Sequence, residues 1–324
     1  MIAIPDGLVR TTVDREGAPG AAWIAELPGL AAELLEHWGC VPDGVATHGG
    51  VGLVLPVRPG TGHPAGRTAG RTAVLKVSFP HPGNVHEPDA FAVWAGRGAV
   101  RLYERDVERF AMLLERVSPA TLAEVRDSDE VVTVAGRLSR RLAVPAPPRP
   151  PGCPPGLPRL SDRAPDWETR LRADAASLPH ALPARTVAAA LATVRDLARA
   201  QPDLLVHGDL HARNILRAER EPWLAVDPKG YLGDPAYDGG TLLTAHALTL
   251  LDAADVRRAI LRALDAFAEA AELDRERTRR WAQLHAVQAA FRGRRHGFRR
   301  ARSGPERDRL TRYADQLAEV LTSG

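Results

Sequence analysis

Residues 203–240 read DLLVHGDLHARNILRAEREPWLAVDPKGYLGDPAYDGG. A short apolar strand runs into His207-Gly208-Asp209, and Asn214 follows five positions after the aspartate. A second apolar strand then delivers Asp227. Phosphoryl transfer to a hydroxyl needs a carboxylate beside the acceptor O–H and hard oxygen ligands for magnesium on the nucleotide phosphates. Asp209 suits the first role. Asn214 and Asp227 suit the second, because magnesium prefers one or two carboxylates with amide, phosphate and water oxygens.

Working outward, the chain changes class near residue 118. Upstream, 44–57 reads as two strands around a glycine turn, 72–79 as an alternating strand, 85–97 as a helix, and 99–103 and 110–114 as strands. A helix over 21–38, interrupted at Pro28, precedes them after an irregular start. Downstream, helices are expected over 119–126, 129–142, 184–200, 239–250, 252–272, 274–291 and 305–322, with short strands at 204–208, 214–218 and 223–227. Residues 144–158 hold eight prolines and read as an extended insertion. The fold class is therefore α+β, with a small strand-rich N-terminal lobe over 1–117 and a larger, mostly helical C-terminal lobe over 118–324.

H-G-D-L-H-x-x-N at 207–214 resembles the catalytic loop of the kinase-like aminoglycoside phosphotransferases, and V-D-P-K-G at 226–230 stands where protein kinases carry D-F-G. The wording of the whole stretch is most similar to the branch of that family acting on streptomycin and hydroxyurea. HGGVGLVLPV (48–57), AVLKVSF (73–79), HEPDAFAVW (86–94), GAVRLYERD (98–106) and MLLERV (112–117) follow in the expected order. The resemblance implies a two-lobed protein-kinase-like fold, with ATP and Mg2+ in the cleft between the lobes. It implies Lys76 on the α/β-phosphates with Glu87 as its partner, and backbone groups around Glu115 and Val117 on the adenine. It further implies Asp209 as base, Asn214 and Asp227 on the metal, and O-phosphorylation of an aminoglycoside, streptomycin at its 6-hydroxyl leading. Such a reaction inactivates the antibiotic. Hydroxyurea, another small hydroxyl metabolite, and a non-catalytic kinase-like binding module are the alternatives.

The residues also carry plainer readings. Gly49, Gly50 and Gly52 let backbone N–H groups approach phosphate, but glycines equally make an ordinary hairpin turn. Lys76 sits mid-strand, facing away from Leu75 and Val77. Lys229, two residues after Asp227, suits either a phosphate contact or an ion pair with a neighbour such as Asp234. Asp238, eleven residues after Asp227, reads as a loop anchor, and so short a segment favours a small-molecule acceptor over a peptide. His207 and His211 lack the third ligand of a zinc site, so His207 reads as a hydrogen-bonding loop residue.

Composition narrows the class. Of 43 Lys and Arg only two are lysine, Lys76 and Lys229, so lysine persists at two positions of the same expected site. A net charge of +3 over 324 residues points away from nucleic acid and anionic membrane as partners. Two cysteines, no secretory start and no long apolar run suit the cytoplasm. The sequence sets no oligomeric state. The arginine run at 292, 294, 295, 299, 300 and 302 reads as a solvated helix end. Asp265, Glu269, Glu272, Asp274 and Glu276 read as an exposed face or as a pocket for a cation. Trp281 and His285 read as core.

Overall fold

The computed structural model describes residues 2–50, 52–60, 72–146, 156–179, 181–251, 253–298 and 303–323. Residues 61–71, most of the proline-rich insertion and Arg299, Arg300 and Arg302 lie outside them. The chain divides into two compact units, Met1–Ser118 and Pro119–Gly324.

In the first unit, α1 (Asp6–Glu16) and α2 (Ala18–His37) precede β1 (Cys40–Pro42), β2 (Thr47–His48), β3 (Gly52–Pro59) and β4 (Ala73–Ser78). Then come α3 (Glu87–Trp94), β5 (Leu102–Asp106) and β6 (Ala111–Glu115). The six strands form one antiparallel sheet in the order β1-β3-β4-β6-β5, with β2 paired to β3. Period-two alternation sends Ala73, Leu75 and Val77 of β4 into a core with Leu27, Ala31 and Leu34 of α2, and turns Lys76 to the other face. Two expectations are corrected here. The irregular start contains α1, anchored by buried Leu8 and Thr12. Pro28 does not interrupt α2: the helix continues through it, because burial of Leu27 and Leu34 on either side offsets one lost backbone hydrogen bond.

The second unit contains α4 (Ser128–Leu142), β7 (Val144–Pro145), α5 (Ala164–Ser177), α6 (Ala184–Leu197), β8 (Leu204–Val206), β9 (Ile215–Arg217), β10 (Trp223–Ala225) and β11 (Tyr231–Gly233). It closes with α7 (Ala236–Ala247), α8 (Val256–Ala271), α9 (Arg275–His296) and α10 (Gly304–Ser323). β11, β8 and β7 form a small antiparallel sheet, and β9 pairs with β10. The expected helix over 119–126 is absent: Thr121 bridges to Leu216 and only a single 3-10 turn, Leu122–Glu124, follows. α5 is an element the sequence reading missed. α9 is the buried axis of this unit, with Trp281, Leu284, Val287 and Phe291 fully enclosed.

Charge pairing organises the helices. Asp234, 2% exposed, accepts from Arg277 Nε (2.5 Å), Trp281 Nε1 (2.6 Å) and the Ala236 N–H (3.0 Å). Two arginines of the run on α9 pair with carboxylates, while Arg292 is exposed as a solvated helix end expects. Arg294 grips Asp315 of α10 with two bonds of 2.9 and 2.6 Å, and Arg295 pairs with buried Asp174 of α5. Of the acidic positions, Asp265 pairs with Arg275, Glu272 with Arg140 and Glu276 with Arg279, while Asp274 caps α9. All five positions are exposed, as the exposed-face reading expects. Removing Asp234 leaves a buried indole N–H without its acceptor and a guanidinium without its charge partner, and each such loss is costly. Asp234→Ala is expected to lower stability by about 3 kcal/mol, measured by denaturant unfolding of the full chain.

Candidate active site

The segment between β8 and β11 is held by one buried carboxylate. Asp238, in the first turn of α7, accepts the N–H of His207 (2.8 Å) and of Gly208 (2.7 Å). Burial pushes its carboxyl up to about 7, opposed by these two donors. Gly208 lies at φ +82, and a Cβ there would meet the Tyr231 ring at 2.7 Å and Lys229 Cβ at 3.1 Å, so only glycine fits.

His207 is fully buried and links two strand ends. Its Nε2 lies 2.9 Å from the Val226 carbonyl, so Nε2 carries the proton and donates; the bare Nδ1 accepts the Asp209 N–H at 3.3 Å. Burial pushes the imidazole down to about 3, which keeps it neutral in this tautomer. The His207 carbonyl accepts the Lys229 N–H at 2.7 Å. Asn214 closes the ring: its Nδ2 donates to the Asp209 carbonyl (3.1 Å), and its own carbonyl accepts the Val226 N–H (2.9 Å). Asp209, Asn214, Asp227 and Lys229 are thereby brought together by backbone bonds.

Asp227 takes φ +60, a left-handed conformation uncommon for a residue with a side chain and typical of functional turns. Burial raises Asp209 above the usual carboxylate range, while the charges of His211, Lys229 and Arg292 draw it back. His211 Nε2 sits 4.0 Å from Asp209 Oδ2, and burial lowers its own pKa. Lys229 does not pair with Asp234, whose carboxylate belongs to Arg277 and Trp281. Among the described residues it forms no ion pair, and its charge bears on Asp209. Sequence reasoning placed Arg292 only in the arginine run, whereas its place on α9 brings its charge to bear on both Asp209 and His285.

In the first unit, Lys76 Nζ contacts Glu87 Oε1 at 2.5 Å, with both groups almost wholly buried. Pro88 supports the Glu87 position, since proline in a first turn suits a helix start. The glycine turn is closed by Gly49 N–H to the Gly52 carbonyl (3.0 Å). A Cβ on Gly52 would lie 2.6 Å from the Val77 carbonyl, whereas Gly49 and Gly50 face open space. The Glu115 N–H is bonded to the Arg101 carbonyl, and the Glu115 carboxylate accepts the Arg101 N–H. The Glu115 N–H and carboxylate are thus tied to Arg101, and Val117 lies just past the end of β6.

The fold is that of the kinase-like phosphotransferases. An amicoumacin kinase solved with AMP-PNP, Ca2+ and Ami superposes at TM-score 0.53 with 11% identity, over 91% of this chain and 96% of that one. A choline kinase from Streptococcus pneumoniae gives TM-score 0.54 at 12% identity over 92% of this chain and 100% of that one. Residues 37–297 match the family model of the aminoglycoside/hydroxyurea antibiotic resistance kinases, and the chain belongs to that family. A streptomycin 6-kinase from Streptomyces glaucescens is 36% identical, covering 90% of this chain and 91% of its own length. A hydroxyurea phosphotransferase from Kitasatospora aureofaciens is also 36% identical, covering 89% and 79%. No helix among the described residues is long and apolar enough to cross a membrane.

His285 yields a pH prediction. Burial pushes its imidazole down to about 3 from 6.5, and its buried Nε2 has no hydrogen-bond partner among the described residues. The unfolded chain therefore takes up a proton below about pH 6.5 that the folded chain refuses, and stability is lost as pH falls. His285→Phe removes this term while keeping a ring against Tyr237, whose centroid is 4.5 Å away. The variant is expected to gain on the wild type by about 1.4 kcal/mol per pH unit between about pH 6 and 4, read from urea unfolding across that range.

Proposed function

We propose that this chain transfers the γ-phosphoryl group of ATP to a hydroxyl of streptomycin, the 6-hydroxyl, using Asp209 as the base. The observation that carries this reading is the hydrogen-bonded ring from Asp238 through His207, Asp209, Asn214 and Val226, which holds the backbone of Asp209, Asn214 and the residue before Asp227 in one cluster. Asp209 accepts the proton as the acceptor oxygen bonds to the γ-phosphorus and the bond from that phosphorus to the ADP oxygen breaks. Burial raises its pKa, which makes it a better base than an exposed aspartate, while the charges of Lys229 and Arg292 oppose that rise.

The donor set suits magnesium. With Nδ2 spent on the Asp209 carbonyl, Asn214 offers Oδ1, and Asp227 offers a carboxylate: two hard oxygen donors and no sulfur or imidazole. Bound there on the nucleotide, the ion neutralises phosphate charge. Lys76, held by Glu87, binds the α/β-phosphates as a compact ammonium. Lys229 adds a second ammonium for phosphate oxygens, and backbone around Val117 binds the adenine.

The relatives support a streptomycin acceptor, and the hydroxyurea phosphotransferase at the same identity makes hydroxyurea the second reading. ADP release by purified protein over streptomycin, hydroxyurea and amino alcohols separates them. Streptomycin is expected to turn over; turnover of hydroxyurea alone would reverse the order of the two readings. Asp209→Asn is expected to lower kcat at least about 1,000-fold with little change in ATP affinity. Lys76→Arg is expected to lower kcat/KM for ATP about 100-fold although charge is kept, because a guanidinium drawn into a bidentate pair with Glu87 no longer offers the phosphates a compact ammonium.

A further inference from the structure

The glycine turn is held from one side by α1. Gly7, Thr11 and Arg15 recur every four residues and so form one stripe along that helix. At the upper end of the stripe the Gly7 backbone lies against the His48 ring, so close that a Cβ would fall 2.4 Å from His48 Nε2. At the lower end Arg15 Nη1 donates to the Gly50 carbonyl at 3.2 Å, while Glu16 holds the Nε of the same guanidinium. His48 in turn approaches the Gly49 carbonyl through Nδ1 at 2.9 Å, which requires Nδ1 to be the donor.

Two successive carbonyls of the turn are therefore engaged by side-chain donors. The C=O and N–H of one peptide point in opposite directions, so fixing the Gly49 carbonyl toward His48 turns the Gly50 N–H away from it. That orientation is what a turn needs if its amides are to meet an anion. A glycine turn left to itself has many other conformations, and each must be given up when a phosphate binds. Gly49 and Gly50, with open space around them, have no packing of their own to restrict them.

We propose that α1 is a brace that pre-orders the glycine turn for the donor phosphates, with Arg15 as the positioning residue and Gly7 as the close-approach point. The proposal rests on the reading of that turn as a nucleotide phosphate cradle. It concerns a helix that precedes the family-matched span. Arg15 acts through the Gly50 carbonyl and touches no substrate, so its removal is felt in nucleotide affinity rather than in the chemical step.

The test measures ATP affinity by calorimetry on the full chain, KM for ATP and kcat with streptomycin as acceptor, and amide hydrogen exchange over residues 48–52. Arg15→Ala is expected to weaken ATP binding and raise its KM about fivefold, leave kcat and the acceptor KM within about twofold, and speed exchange in the turn. Arg15→Lys is expected to recover most of the ATP affinity, because an ammonium on a similar stem still reaches a carbonyl. Gly7→Ala, which drives the His48 ring off the helix, is expected to give the same split. Unchanged ATP affinity in both Arg15→Ala and Gly7→Ala, with Lys76→Arg still impaired, overturns the brace alone. ATP affinity unmoved in Lys76→Arg as well overturns the nucleotide reading of this unit and the brace with it.

Discussion

The buried carboxylate of Asp238 is the constraint on which the second unit's chemistry depends. It supplies the acceptors for two consecutive N–H groups at His207 and Gly208, where the chain turns too sharply for either strand to supply them. Burying a carboxylate is costly unless its oxygens are bonded, and burying two N–H groups is costly unless they find acceptors. Placed together, each offsets the other's penalty. The pairing also joins α7 to the end of β8, so the position of Asp209 is set by helix packing as much as by the local loop.

From that anchor the order spreads by backbone bonds. Neutral His207 transmits it in two directions, to the Asp209 amide and to the Val226 carbonyl, and only one tautomer can do both. Burial enforces that neutrality. Asn214 repeats the arrangement with an amide side chain. Asp209 is thus held by backbone bonds to the neutral side chains of His207 and Asn214.

The motif and strand alternation were legible because they are local. His207, Asp209, Asn214 and Asp227 fall within twenty-one residues, and the period-two pattern of β4 by itself puts Lys76 on the opposite face from Leu75 and Val77. Local rules failed where tertiary packing outweighed propensity. α2 passes through Pro28 because Leu27 and Leu34 are buried on both sides of it. α1 reads as irregular because its short buried face, Leu8 and Thr12, is too small to recognise without the core it covers. The segment after Pro119 became a bridge and one 3-10 turn because its backbone pairs with β9.

The sequence by itself determined the inventory and order of the reactive groups, since the spacing of Asp209, Asn214, Asp227 and Lys229 is a property of one short segment. It also singled out the two lysines. Only the tertiary structure decided which charges act on which. Arg294 meets Asp315, Arg277 meets Asp234, Arg292 bears on Asp209, and Arg15 reaches the Gly50 carbonyl. In a chain so rich in arginine every such cation looks alike in sequence. Their partners lie tens of residues away, so the choice among them is made by how helices pack and by which carboxylate or carbonyl is left without another donor.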